Sequence, residues 1–327
     1  MLVLKKVENI SSTPLRFLLH IMDLFHGRSP FYPRFVQLLL TYRCNANCPF
    51  CYQDPEKKRI PDMTLEVAKK IEKNMSQSFN FKPRIHFFGG EPLVNREFPA
   101  ILQHFSAAGY KSSITTNGYL LKEYRDVLLR SKGIKDIHVS FNDLDFDRML
   151  GNLGDLDAGN PKNRARVTIN VPITELNQHR LVEIVEAFES SNIEYITFQH
   201  RGFIWYKTYI EMDYMAIKKQ MKKISKRDNR VPVLFHPRIK LEDIESYYSD
   251  YDYPYRFSKC YYPWFVLFIK PDGSLMPCDE VNINVGNALK ESLKDLWNNK
   301  DYVAFRRSIL SKGVTKSICH RCDHREY

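Results

Sequence analysis

The chain has 327 residues, of which 43% are hydrophobic and 27% charged, with a formal net charge of +11 and seven cysteines. That size and apolar content suit one large α/β domain with a smaller companion and exclude a disordered or fibrous chain. An odd cysteine count with no secretory signal ahead of it argues against a disulfide framework, which leaves the thiols as metal ligands in a reducing cytoplasm.

In chain order, residues 1–35 read as an N-terminal extension. Wound as a helix, it sets Arg16, His20 and Asp23 on a narrow stripe among Leu15, Leu18, Leu19, Met22 and Phe25. The segment is too short and too charged to span a bilayer, and it is expected to pack on the main domain rather than lie on a membrane surface.

From residue 36 to about residue 205 strands and helices alternate, which predicts a parallel sheet. Strands are expected at 36–42, 84–88, 112–116, 136–141, 166–171 and 195–198, and helices at 64–77, 97–107, 121–129 and 179–190, the first capped by Thr64. Residues 151–163, rich in Gly, Asn and Asp, are expected to form a loop in the fourth crossover. Six such units over residues 36–211 predict a partial, TIM-like (β/α)6 barrel open on one side. Residues 212–255 read as a basic linker helix: Tyr214, Ile217, Met221 and Ile224 make one face, and Lys218, Lys219, Lys222, Lys223 and Lys226 make a solvated other face. Residues 256–327 form the small C-terminal domain.

Chemistry is concentrated in two cysteine sets. Cys44, Cys48 and Cys51 form a C-x3-C-x2-C run with Phe50 before the last cysteine. Three thiolates cannot close a tetrahedral zinc shell, whereas a four-iron cluster held by three cysteines keeps one iron open. The strand ends that follow carry Gly89, Gly90, Glu91 and Pro92, then Asn117, then Ser140 and Asn142, with Arg148 close behind. Active sites of parallel α/β folds collect at such ends. The second set is Cys260, Cys278, Cys319 and Cys322, enough for one fully ligated cluster.

The cysteine run, together with the Gly-Gly-Glu-Pro turn thirty-eight residues on, resembles the signature of the radical S-adenosylmethionine (SAM) enzymes. Residues 260–322 resemble their C-terminal iron–sulfur extension, SPASM, in the shortened form called twitch. The resemblance implies a SAM-binding [4Fe-4S] cluster on Cys44, Cys48 and Cys51 and an auxiliary [4Fe-4S] cluster on the other four. It also implies a cofactor site formed by Phe50, Gly89, Gly90, Glu91 as partner of the SAM ammonium, Pro92, Asn117, Ser140, Asn142 and Arg148. Asn142 stands where the family usually has Asp, and Arg148 is closer than the usual arginine. Reductive cleavage of SAM then gives a 5′-deoxyadenosyl radical that takes a hydrogen atom from substrate, and an external donor such as flavodoxin or ferredoxin supplies the electron.

A fully ligated auxiliary cluster suits an electron acceptor, and so a net dehydrogenation, with Asp279 as the expected base and Glu280, Tyr262 and Arg201 as alternatives. With all seven cysteines taken as ligands, no thiol is left to donate a hydrogen atom, which argues against the epimerase branch. Only about 35 residues precede the first strand, short of a peptide-recognition domain, so a small-molecule substrate is expected ahead of a ribosomally made peptide. A zinc-bound nucleic-acid module is the non-enzymatic rival, and no RNA-binding motif supports it.

Overall fold

The computed structural model describes residues 26–51, 59–142, 145–159, 165–200, 212–249, 260–281 and 283–312. The N-terminal amphipathic segment, Arg201, Cys319 and Cys322 lie outside the described residues.

Alternation of apolar runs and helical periods builds six parallel strands: β1 (Phe35–Leu39), β2 (Arg84–Phe88), β3 (Ser112–Thr116), β4 (Ile134–Ser140), β5 (Arg166–Pro172) and β6 (Tyr195–Gln199). They pair side by side in sequence order, as Val36↔Ile85 and Ile137↔Val167 illustrate. This is the α/β partial-barrel arrangement, its crossovers made by α1 (Leu65–Ser78), α2 (Phe98–Ala107), α3 (Leu121–Arg130), α4 (Phe146–Gly159) and α5 (Leu181–Phe188). Thr64 caps α1, its side chain accepting from the Val67 N–H. Ile71 and Met75 of that helix, Phe98, Ile101 and Phe105 of α2, and Val36, Ile85 and Phe87 of the strands are buried in one core. Burial of such side chains contributes about 1.5–3 kcal/mol each and is the main force holding helices to sheet.

The fourth crossover corrects the expectation of a loop. Residues 151–159 continue α4 because Met149, Leu153 and Leu156 recur at helical spacing and are all buried. Gly151 and Gly154 face open space, where their missing side chains cost no packing.

The sheet also runs beyond six strands. Within residues 212–249 of the expected linker, α6 (Tyr214–Ser225) crosses over to β7 (Val233–His236), which pairs parallel with β6, and α7 (Ile244–Ser249) follows. Ile217, Met221 and Ile224 are the buried face of α6, as the periodicity predicts. On the other edge, β8 (Val266–Ile269) pairs parallel with β1 and then antiparallel with β9 (Leu275–Met276). The strand order is β7-β6-β5-β4-β3-β2-β1-β8-β9, so C-terminal residues complete the same sheet. Two further helices, α8 (Leu293–Leu296) and α9 (Lys300–Lys312), end the described chain. No helix among the described residues is long and apolar enough to cross a membrane.

Candidate functional site

The loop after β1 carries Cys44, Cys48 and Cys51, and local hydrogen bonds shape it. The Cys51 N–H donates to the Cys48 carbonyl at 3.0 Å, and the Ala46 N–H points at the Cys44 sulfur at 3.4 Å. At the base of the loop Thr41 donates to Asp62 at 2.6 Å and accepts from the Arg43 N–H at 2.9 Å, while Arg43 pairs with the same carboxylate. Asn95 ties Leu40 to Met63 by donating to both carbonyls.

The turn after β2 docks on this loop through its backbone: the Gly90 N–H donates to Thr41 O and the Glu91 N–H to Arg43 O, both at 2.8 Å. A side chain at Gly89 or Gly90 would run into those same carbonyl oxygens, so the glycines are required by the approach of one chain segment to another.

Glu91 is fully buried. One carboxylate oxygen accepts from the Leu93 N–H at 3.0 Å and the Thr116 hydroxyl at 2.9 Å, the other from the Asn117 N–H at 2.7 Å. Burial pushes its carboxyl up to about 7, against the pull of those three donors. Both oxygens thus help to clamp β2's turn to the end of β3. Pro92 is buried beside it, opening the short turn Pro92–Val94.

These elements enclose a cavity of about 410 Å3 at the strand ends, lined among others by Cys44, Cys48, Phe50, Cys51, Gly89, Gly90, Asn117, Ser140 and Asn142. Asn117 reaches back to the loop, donating to Asn45 at 2.7 Å and towards the Cys44 sulfur at 3.6 Å. Asn142 accepts from the Tyr119 hydroxyl at 2.7 Å. Arg148 does not line the cavity; it is exposed, stacks on the Tyr119 ring at 5.1 Å and donates to the Tyr119 carbonyl.

Asp279, Glu280 and Tyr262 also line the cavity, the last accepting from Gln37 of β1 at 2.7 Å. Sequence reasoning missed Gln37, His86, Asn170, Gln199 and His200, which also face the cavity. Their one signal was a polar residue within or just after an apolar strand. His86 bonds Ser113 at 2.8 Å and Thr115 at 3.1 Å; His200 bonds Tyr248 at 2.8 Å. Protein surrounds both rings, although an edge opens to the cavity, and burial drops each to about 3, so both are neutral. The second ring nitrogen of His200 and the side-chain oxygen of Asn170 are buried and have no hydrogen-bond partner among the described residues.

The donor chemistry fits an iron–sulfur cluster. Burial raises the Cys44 thiol, and burial together with the charges of Cys44 and Cys51 pushes Cys48 up to about 11. Three thiolates at one cavity mouth are thus costly without a cationic group to neutralise them. Cys278 and Cys260 meet in a second apolar cluster with Val281, Phe305 and Ile309, which supplies two of the four sulfurs expected there.

A family model described as the radical SAM superfamily matches residues 38–169, and one described as an iron–sulfur cluster-binding domain, SPASM, matches residues 260–323. The PqqA peptide cyclase of Bradyrhizobium diazoefficiens is 24% identical over 320 residues, spanning 90% of this chain and 80% of that one. That of Rhodopseudomonas palustris is 23% identical with the same coverage. Among solved structures, Streptococcus suis SuiB bound to precursor peptide SuiA superposes with a TM-score of 0.68 at 18% identity, covering 93% of this chain and 74% of that chain. Native anSMEcpe with bound AdoMet gives 0.61 at 18% identity, covering 84% and 83%.

Proposed function

Since the chain is a radical SAM protein with a C-terminal SPASM iron–sulfur domain, we propose that it modifies a peptide, drawing a hydrogen atom from a peptide carbon held in the cavity between the cysteine loop and Asp279. The observation that carries this reading is the likeness to peptide cyclases over 90% of the chain. It displaces the small-molecule substrate expected from the sequence.

When bound, the cluster and SAM supply the hydrogen-abstracting radical. The chain's own part is placement and protection. Gly89, Gly90, Asn117, Ser140 and Asn142 line the end of the cavity nearest the cysteines, where the cofactor is held. Phe50, Phe88 and Phe141 form an apolar wall that keeps water from a reactive intermediate. Asn170 and His200, which line the same cavity, offer hydrogen-bonding atoms to peptide amides, and we assign Asp279, also in its lining, the role of taking a proton from the oxidised substrate. A second cluster on Cys260, Cys278, Cys319 and Cys322 would then take the remaining electron.

The test is anaerobic incubation of reconstituted protein with SAM, a reductant and synthetic peptides encoded beside its gene, next to aminocyclitol sugars. Formation of 5′-deoxyadenosine together with a peptide that has lost hydrogen, or gained a cross-link, is the expected result. Turnover of a sugar with every peptide unchanged would overturn it.

A further inference from the structure

Arg306 on α9 is fully buried, and no carboxylate among the described residues forms an ion pair with it. Its Nε donates to the Pro263 carbonyl at 3.0 Å, and one terminal nitrogen donates to the Trp297 carbonyl at 2.8 Å and to Asn298 at 3.0 Å. The guanidinium lies 4.2 Å from the ring centre of Trp297 and 4.1 Å from that of Tyr302. The other terminal nitrogen, Nη2, is buried without a partner, and no carboxylate pairs with the group among the described residues. Ring faces and carbonyl dipoles offset part of the cost of burying a cation, but a bare charge in such a place calls for an anion. Burial accordingly pulls its pKa down to about 10.

Two cysteines of the second set, Cys260 and Cys278, lie beside α9, the helix that carries Arg306. Phe305, the neighbour of Arg306 on α9, and Ile309 pack on Cys278, with Cys260 against the same cluster. Pro263, whose carbonyl Arg306 holds, lies three residues after Cys260.

We propose that Arg306 is the fixed counter-charge of the auxiliary iron–sulfur cluster and raises that cluster's reduction potential. A four-iron core held by four thiolates is a net anion and gains one further negative charge when it takes up an electron. A nearby cation in a low-dielectric setting therefore favours the reduced state. The electron is the one a substrate radical surrenders as it loses a proton and becomes a closed-shell product. One electron thus leaves with the hydrogen atom and one through the cluster. The inference rests on the electron-acceptor reading above, but its test reads a potential rather than turnover, so each can fail alone.

The test is a redox titration of the auxiliary cluster, followed by electron paramagnetic resonance, in the reconstituted full chain and three variants. Arg306→Met removes the charge and Arg306→Lys keeps it. Asn298→Asp leaves the guanidinium in place but sets a carboxylate against it. The midpoint potential is expected to fall in Arg306→Met and Asn298→Asp and to stay near the parent value in Arg306→Lys. An equal fall in Arg306→Lys and Arg306→Met would assign the effect to packing and overturn the proposal. So would an unchanged potential in Asn298→Asp, which decides the matter alone if Arg306→Met fails to hold iron.

Discussion

Glu91 shows how a residue can be legible in sequence while its surroundings are not. A carboxylate after two glycines at a strand end signals a site, but the donors around it are visible only in three dimensions, where three protein groups bond its two oxygens. Glu91→Gln presents an amide NH2 to one of those donors and leaves a buried group unpaired, at a cost of about 1–3 kcal/mol. The melting temperature should fall and SAM affinity with it, because Asn117 loses its anchor. A melting curve and a binding isotherm on the same sample check this; weakened SAM binding with unchanged melting would return the carboxylate to the ligand. His200 and His86 give a pH signature. Their folded-state values near 3 lie below the usual 6.5, so the folded chain binds fewer protons than the unfolded one below that pH. The stabilisation is complete above pH 6.5 and drains away as pH falls toward 3, about 2 kcal/mol for each ring between pH 7 and pH 5. Urea midpoints at those two pH values should show it, and His200→Gln should reduce the slope by one ring's share.

Elements were most legible where two signals agreed. The first six strands are short segments of five to seven residues with apolar side chains at buried positions, and α1 has both its cap and its period, so local sequence sufficed. Composition and period disagreed at α4, and period won because burying Met149, Leu153 and Leu156 outweighs the roughly 1 kcal/mol that each helical glycine costs relative to alanine. Gly154→Ala should therefore raise stability by about 0.5–1 kcal/mol, read as a higher melting temperature, since nothing lies within 4 Å of the added carbon. Gly90→Ala should do the reverse. Its added carbon meets the Arg43 carbonyl, so the turn cannot dock and the Cys44–Cys51 loop loses its floor. Iron analysis after reconstitution should show loss at that site and retention at the other. The strands β7, β8 and β9 were not legible for a different reason: their signals are short, and β8 finds its partner in β1 more than two hundred residues earlier.

At the scale of the whole molecule, that pairing ties the loop of Cys44, Cys48 and Cys51 to the segment that carries Cys260 and Cys278. Residues 260–312 are no appendage, since β8 covers the β1 edge and Tyr262 bonds Gln37 across the seam. A chain ending at residue 259 should thus expose an unpaired parallel edge and aggregate, measurable as loss of monomer on gel filtration, whereas an independent module would leave a soluble barrel. The excess positive charge finds a modest use here, because the lysines of α6 sit opposite its buried face and away from the core. The parallel register of β1 and β8 has a kinetic consequence. Electron tunnelling depends steeply on distance, and the loop after β1 and the cysteines on either side of β8 are set apart by a ladder of main-chain hydrogen bonds that cannot stretch. Under the proposed function the sheet is then a ruler, holding Cys260 and Cys278 at a set distance from the cysteine loop after β1.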